Sequence, residues 1–139
     1  RKIGDEYGAT TGRPRRCGWF DAVLVRRAVK LNGISGISLM KLDVLDSFEK
    51  LLICTGYRIG KRVHSEPPMT VEDFYRIEPQ YEEMEGWNTP LEDIRVFDDL
   101  PENAKRYVRR IEELVGVPAA IISTGPDRDS TIILKNPFA

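Results

Sequence analysis

The stretch Gly8-Ala9-Thr10-Thr11-Gly12-Arg13-Pro14-Arg15-Arg16 joins glycines and hydroxyls to a run of arginines. Small residues let backbone N–H groups approach a ligand closely, and each guanidinium is a planar fork matched to carboxylate or phosphate. The chemistry suits an anion with several oxygens. The same residues also describe a solvated basic loop beside a helix. Lys41-Leu42-Asp43 falls at the end of a predicted strand. There an aspartate can accept hydrogen bonds from adjacent donors on a ring such as guanine, while the lysine stem covers the ring face. A strand-terminal Asp also serves as a plain cap or turn residue. Ser123-Thr124-Gly125 offers hydroxyls and backbone donors just after another predicted strand, or simply forms a turn. Asp127, Arg128 and Asp129 read as surface residues of that turn.

Other chemistries find little support. His64 is the sole histidine, in the turn-like Lys61-Arg62-Val63-His64-Ser65. It has no sequence neighbour to position it as an acid or base, so it reads as surface. One histidine and two distant cysteines, Cys17 and Cys54, match no zinc spacing. A GxxxxGK[ST] phosphate loop is missing from the sequence.

Several elements must position the three groups. Asp21 is a predicted N-cap for a helix over residues 22–31, stopped by Asn32-Gly33, with Val25, Ala28 and Val29 forming its apolar stripe. Residues 36–42 and 51–57 read as strands joined by a polar connection. Residues 58–68 are turn-like, Thr70 reads as the cap of a short helix, and residues 78–86 form an acidic segment. Pro101 suits a first helical position. Ala104, Tyr107, Val108, Ile111, Leu114 and Val115 then recur at helical spacing up to Gly116. Residues 119–122 and 131–134 are the last two strands. The expected fold class is α/β with a largely parallel central sheet, ligands lying beyond strand ends. No internal repeat is visible.

Composition sets the outer bounds. The 139 residues fit one domain or a piece of one, and 41% hydrophobic content supports a core. Twenty-one basic residues against 22 acidic ones give a net charge of −1, which argues against a nucleic-acid or membrane surface. The apolar stretches are too short to span a bilayer, and no signal peptide opens the chain. Two cysteines make no disulfide framework, pointing to a reduced, cytoplasmic setting. Opening without Met and inside a loop, the chain is expected to be cut from a longer protein.

Taken together, GATTGRPRRCGWFD at residues 8–21, KLDVLD at 41–46, LPENAKRYVRRIEELVGVP at 100–118 and ISTGPDR at 122–128 resemble the adenylosuccinate synthetase family. The resemblance covers essentially the whole chain, with the opening block its most specific part, and implies the C-terminal part of a larger single α/β domain. It implies a cytoplasmic, homodimeric ligase of AMP synthesis that joins IMP and L-aspartate. GTP is cleaved to GDP and phosphate, with Mg2+ required. The purine 6-oxygen is first phosphorylated and then displaced by the aspartate amine.

Carried over by residue, the resemblance implies that the loop Ala9, Thr10, Thr11, Gly12, Arg13, Pro14 and Arg15 closes over aspartate. Thr10 and Thr11 would bind its carboxylate, Arg13 would also touch IMP, and Arg15 would reach GTP. Lys41, Leu42 and Asp43 would recognise guanine, with Ser123, Thr124 and Gly125 forming the wall opposite. On this reading residues 1–16 are the aspartate loop, and residues 17–57 carry the guanine-reading KLD. Residues 58–99 are a peripheral excursion without a site, and residues 100–139 end in the guanine wall. Pro14 stands where the family often has a basic residue and stiffens the loop. Glu85-Gly86-Trp87 stands where a proline often precedes Gly-Trp. The family's phosphate loop, catalytic aspartate and histidine and magnesium ligands all lie N-terminal to such a segment, and His64 is not that histidine. The chain alone is therefore expected to be inactive, with an open or disordered loop when unliganded. The remaining readings are an isolated piece that binds guanine nucleotide weakly, and an unrelated α/β interaction module.

Overall fold

Asp21 starts the first helix through its side chain. In the computed structural model, which describes residues 1–136, its Oδ1 accepts hydrogen bonds from the backbone N–H groups of Val23 and Leu24, both at 3.1 Å. Two of the donors that a helix start leaves open are thereby satisfied. Helix α1 (Ala22–Asn32) follows and stops at a left-handed Gly33. The other Asp21 oxygen accepts from the Tyr57 hydroxyl at 2.5 Å. Burial and then the Asp21 carboxylate push the Tyr57 phenol far above its ordinary value, so it stays a donor. This one acid fixes a helix start to a strand.

The strands form two sheets. In the first, β3 (Lys50–Ile59) pairs with β1 (Phe20–Asp21), β4 (Arg62–His64) and β5 (Glu78–Glu85). In the second, β2 (Ile37–Leu39) and β7 (Thr131–Ile133) flank β6 (Ala119–Ser123). The β1–β3 and β2–β6 pairs are parallel, whereas β3–β4, β3–β5 and β6–β7 are antiparallel. The class is α/β, with mixed sheets where a largely parallel one was expected. The reason is local: the chain doubles back at Gly60-Lys61 between β3 and β4, and returns along β3 as β5, and short returns build antiparallel pairs.

One hydrophobic cluster draws on both sheets. Helix α3 (Glu102–Val115) buries Ala104, Tyr107, Val108, Ile111 and Val115, the stripe its spacing predicts. They pack with Leu51 and Ile53 of β3, Ala119 and Ile122 of β6, and Trp87 and Leu91. Leu114 is only partly buried at its edge. Pro101 stands just before the helix, in extended backbone, rather than at its first position.

Among the further expectations some change and one, at Thr70, holds. Strand β2 ends at Leu39, not at residue 42, because Lys41 adopts left-handed backbone (φ 60°, ψ 43°) and Leu42–Leu45 coil into a 3-10 turn. Thr70 does cap a short helix, α2 (Val71–Phe74), accepting from Asp73 N–H at 3.2 Å. The acidic stretch at 78–86 contains strand β5. Its inward Glu82 faces Arg110 of α3, with both carboxylate oxygens 2.8 Å from guanidinium nitrogens. Within residues 58–99, β4 is exposed while Trp87 and Leu91 lie in the core.

Candidate functional site

The opening loop is a hairpin. Tyr7 and Pro14 form an antiparallel bridge, Gly8 N–H donates to Arg13 C=O at 2.8 Å, and Arg15 N–H donates to Glu6 C=O at 3.0 Å. The tip turns at Gly12, whose φ of 63° is easy only for a residue without Cβ, and Gly12 N–H donates to Gly8 C=O at 2.8 Å. Thr11 Oγ1 accepts from Arg13 N–H at 3.3 Å. Ala9, Thr10, Thr11, Gly12, Arg13, Pro14 and Arg15 are all exposed. Hydroxyls and guanidinium groups thus ride on the surface of a hairpin with a fixed stem.

That stem is tied to Lys41. The Lys41 ammonium donates to Gly4 C=O at 2.5 Å and to Glu6 Oε1 at 2.6 Å, while Glu6 Oε2 lies 3.4 Å from Arg15 Nη1. Hydrogen bonding and charge from Lys41, and then Arg15, hold the Glu6 carboxyl below the usual range. Lys41 also donates its backbone N–H to Ser123 Oγ at 2.6 Å. One lysine therefore joins the three sequence groups: the loop base, the Lys41-Leu42-Asp43 turn and the Ser123-Thr124-Gly125 corner.

The corner is tightly built. Ser123, Thr124 and Gly125 are buried at the end of β6. Thr124 donates its hydroxyl to Ile94 C=O at 3.0 Å and its N–H to Ser130 C=O at 2.9 Å. A Cβ on Gly125 would stand 2.9 Å from Ser130 Oγ and 3.2 Å from the Glu92 side chain, so a larger residue would have to displace Ser130. The hydroxyls expected to line a wall are thus engaged inside the protein: Ser123 holds Lys41 and Thr124 holds the 94 segment.

On the facing turn, Leu42 is buried and Asp43 half-buried. Asp43 Oδ1 is buried without a hydrogen-bond partner. A carboxylate oxygen in that condition costs roughly 1–3 kcal/mol, so it is a strong acceptor for any donor that reaches it. The turn is held by Asp46, which accepts from Trp87 Nε1 at 2.8 Å and Leu91 N–H at 3.0 Å. Burial raises the Asp46 carboxyl above its ordinary value. Beside these groups, a groove of about 750 Å³ passes Gly4, Glu6, Lys41, Val44, Trp19 and Tyr107. It includes neither Asp43 nor residues 123–125.

Sequence reasoning missed Glu6 and Asp46 as parts of this arrangement. Glu6 had a signal, being with Asp5 one of two acids just before a basic loop. The pairing of Asp46 with Trp87 had none. His64 is exposed on β4, away from these groups. Among the described residues no three His, Cys, Asp or Glu side chains converge as metal ligands. None of the described helices is long and apolar enough to cross a membrane.

Comparison with known proteins adds a second line. The family model described as adenylosuccinate synthetase matches residues 1–132. Curated adenylosuccinate synthetases from Trichlorobacter lovleyi and Methylococcus capsulatus are 54% and 57% identical to this chain, covering 99% and 98% of it. In both the match takes in 32% of the relative, so the chain spans about a third of the length of such relatives. The structure of fully ligated adenylosuccinate synthetase from Plasmodium falciparum superposes with a TM-score of 0.91 at 38% identity, over 97% of this chain and 33% of that one. With the family model matching nearly the whole chain and the fold following at this closeness, the chain belongs to the adenylosuccinate synthetase family.

Proposed function

We propose that the protein carrying this chain is a GTP-dependent ligase that joins IMP and L-aspartate into adenylosuccinate, a step of purine biosynthesis. The observation that carries the reading is the meeting of three family segments at Lys41, through contacts to Glu6 at 2.6 Å and Ser123 at 2.6 Å. In this reading Thr10 and Thr11 bind the aspartate carboxylate on the exposed hairpin tip. Arg13 pairs with that carboxylate and touches IMP, and Arg15 reaches the GTP side. Lys41 lies over the guanine face, Leu42 packs beneath, and Asp43 accepts from the ring donors. The backbone at Ser123, Thr124 and Gly125 walls the base, with the two hydroxyls holding that wall in place.

The contribution of such groups is orientation and charge neutralisation. Phosphorylating the purine 6-oxygen turns a poor leaving group into a good one, and the aspartate amine must then sit in line with it. These residues do not form a magnesium site, and none of them is assigned a proton transfer. The division into an aspartate loop at 1–16, the guanine-reading KLD within 17–57, an excursion at 58–99 and the guanine wall within 100–139 belongs to the same proposal. So does a cytoplasmic homodimer with sites completed across subunits.

The test is an assay of the full-length protein for adenylosuccinate, omitting IMP, aspartate or GTP in turn. Product that needs all three supports the reading, with no turnover from the 139-residue chain alone. A full-length protein that forms no product overturns it.

A further inference from the structure

Glu6 joins the opening hairpin to Lys41, and among the described residues no other ion pair links the two. It is the last acid before a basic run: from Tyr7 to Phe20 the chain has no Asp or Glu, but has Arg13, Arg15 and Arg16. Its side chain is 27% exposed and its two oxygens serve different partners. Oε1 is 2.6 Å from the Lys41 ammonium and Oε2 is 3.4 Å from Arg15 Nη1. The backbone repeats the link, since Arg15 N–H donates to Glu6 C=O at 3.0 Å across the hairpin stem. Arg1 Nε caps the Arg15 carbonyl from the other side at 3.0 Å. Lys41 in turn is anchored to Ser123 through its backbone.

From this arrangement we infer that Glu6 is a positioning residue that couples the aspartate loop to the guanine pocket. The inference rests on the function proposed above. A base that settles under Lys41 fixes the lysine stem, and with it the Glu6 carboxylate. Fixing Glu6 holds the Arg15 guanidinium, and so orders the exposed side chains on the hairpin leg that carries Arg13 and Arg15. Each ligand then lowers the ordering cost met by the other, which is positive cooperativity without a change of fold. Such coupling is reciprocal: GTP must tighten aspartate by the same factor by which aspartate tightens GTP. Glu6 touches no reacting atom in this scheme. Its effect passes through Lys41 and Arg15.

The test is the aspartate KM of the full-length synthetase, measured across GTP concentrations below and above the KM for GTP. In the unaltered enzyme the aspartate KM falls as GTP rises. In Glu6→Gln it becomes independent of GTP, and both KM values rise about two- to fivefold, the size expected for partly exposed ion pairs. The turnover number falls by less than either KM rises. Glu6→Asp, which keeps the charge, restores part of the GTP dependence, a rescue that mere loss of loop structure does not produce. A GTP-dependent aspartate KM retained in Glu6→Gln overturns the inference, as does its absence in the unaltered enzyme. Failure of the unaltered enzyme to form adenylosuccinate overturns the proposed function instead.

Discussion

In the proposed function, Arg13 and Asp43 carry the two recognition tasks by different means. Arg13 is exposed on a hairpin tip, where a guanidinium loses little hydration until a carboxylate pairs with it. Arg13→Leu removes that pairing without touching the stem, which is held by backbone hydrogen bonds. The expected result is an aspartate KM raised about tenfold or more, from the 1.5–3 kcal/mol of a charged hydrogen bond, with the KM for GTP changed far less. Steady-state kinetics with each substrate varied in turn would show it, and unaltered aspartate kinetics would remove Arg13 from the site. Asp43 works by contrast from a half-buried position with one oxygen lacking a partner. At this scale the sequence was informative about residue types but not about use. The pattern at Ser123 and Thr124 fits a turn or ligand-facing hydroxyls equally, and their bonds to Lys41 and Ile94 are tertiary facts that no local pattern encodes.

At the scale of elements, the 3-10 turn Leu42–Leu45 is what presents Asp43, and Asp46 is what holds the turn. Asp46→Ala leaves the Trp87 indole N–H and the Leu91 N–H without their acceptor in a partly buried place. A loss of about 1–3 kcal/mol is expected, read as a lower denaturation midpoint, together with weaker nucleotide binding. Stability equal to that of the unaltered protein would show that the turn stands without this clamp. Helices α1 and α3 were legible in the sequence because their end signals are local, though α1 buries Ala22, Val23 and Val29 and leaves Val25 and Ala28 of the expected stripe half-buried. Asp21 and its two N–H partners lie within three residues of one another. The early end of β2 was not legible, since nothing in Lys41 itself announces left-handed backbone. Strand β5 was missed because its outward and inward residues do not sort by polarity. Tyr81 faces solvent while Glu82 turns in toward Arg110.

At the scale of the whole molecule, two mixed sheets are joined by one core, and the Glu82–Arg110 pair ties β5 to the outer side of α3. The Arg110 hydrogen bonds hold the Glu82 carboxyl below its ordinary value of 4.5. A depressed carboxyl pKa stabilises the fold fully above the unfolded value and loses that contribution as the pH falls below it. Glu82→Gln is therefore expected to flatten the acid limb of a stability–pH curve below 4.5 and to lower stability modestly at neutral pH. An acid limb of unchanged steepness would assign acid sensitivity to other carboxylates. The α/β class followed from alternating helix and strand patterns, whereas sheet order and the antiparallel returns depend on pairings far apart in sequence. The central claim is that this chain selects guanine for a GTP-dependent synthetase. Its most direct test is kcat/KM for GTP and for ITP in the full-length protein with Asp43→Asn. ITP lacks the 2-amino donor, so the aspartate gains less from it than from GTP. The expected result is a tenfold or greater fall for GTP, from about 1.5–3 kcal/mol, with the preference over ITP largely erased. An unchanged preference for GTP would contradict the claim.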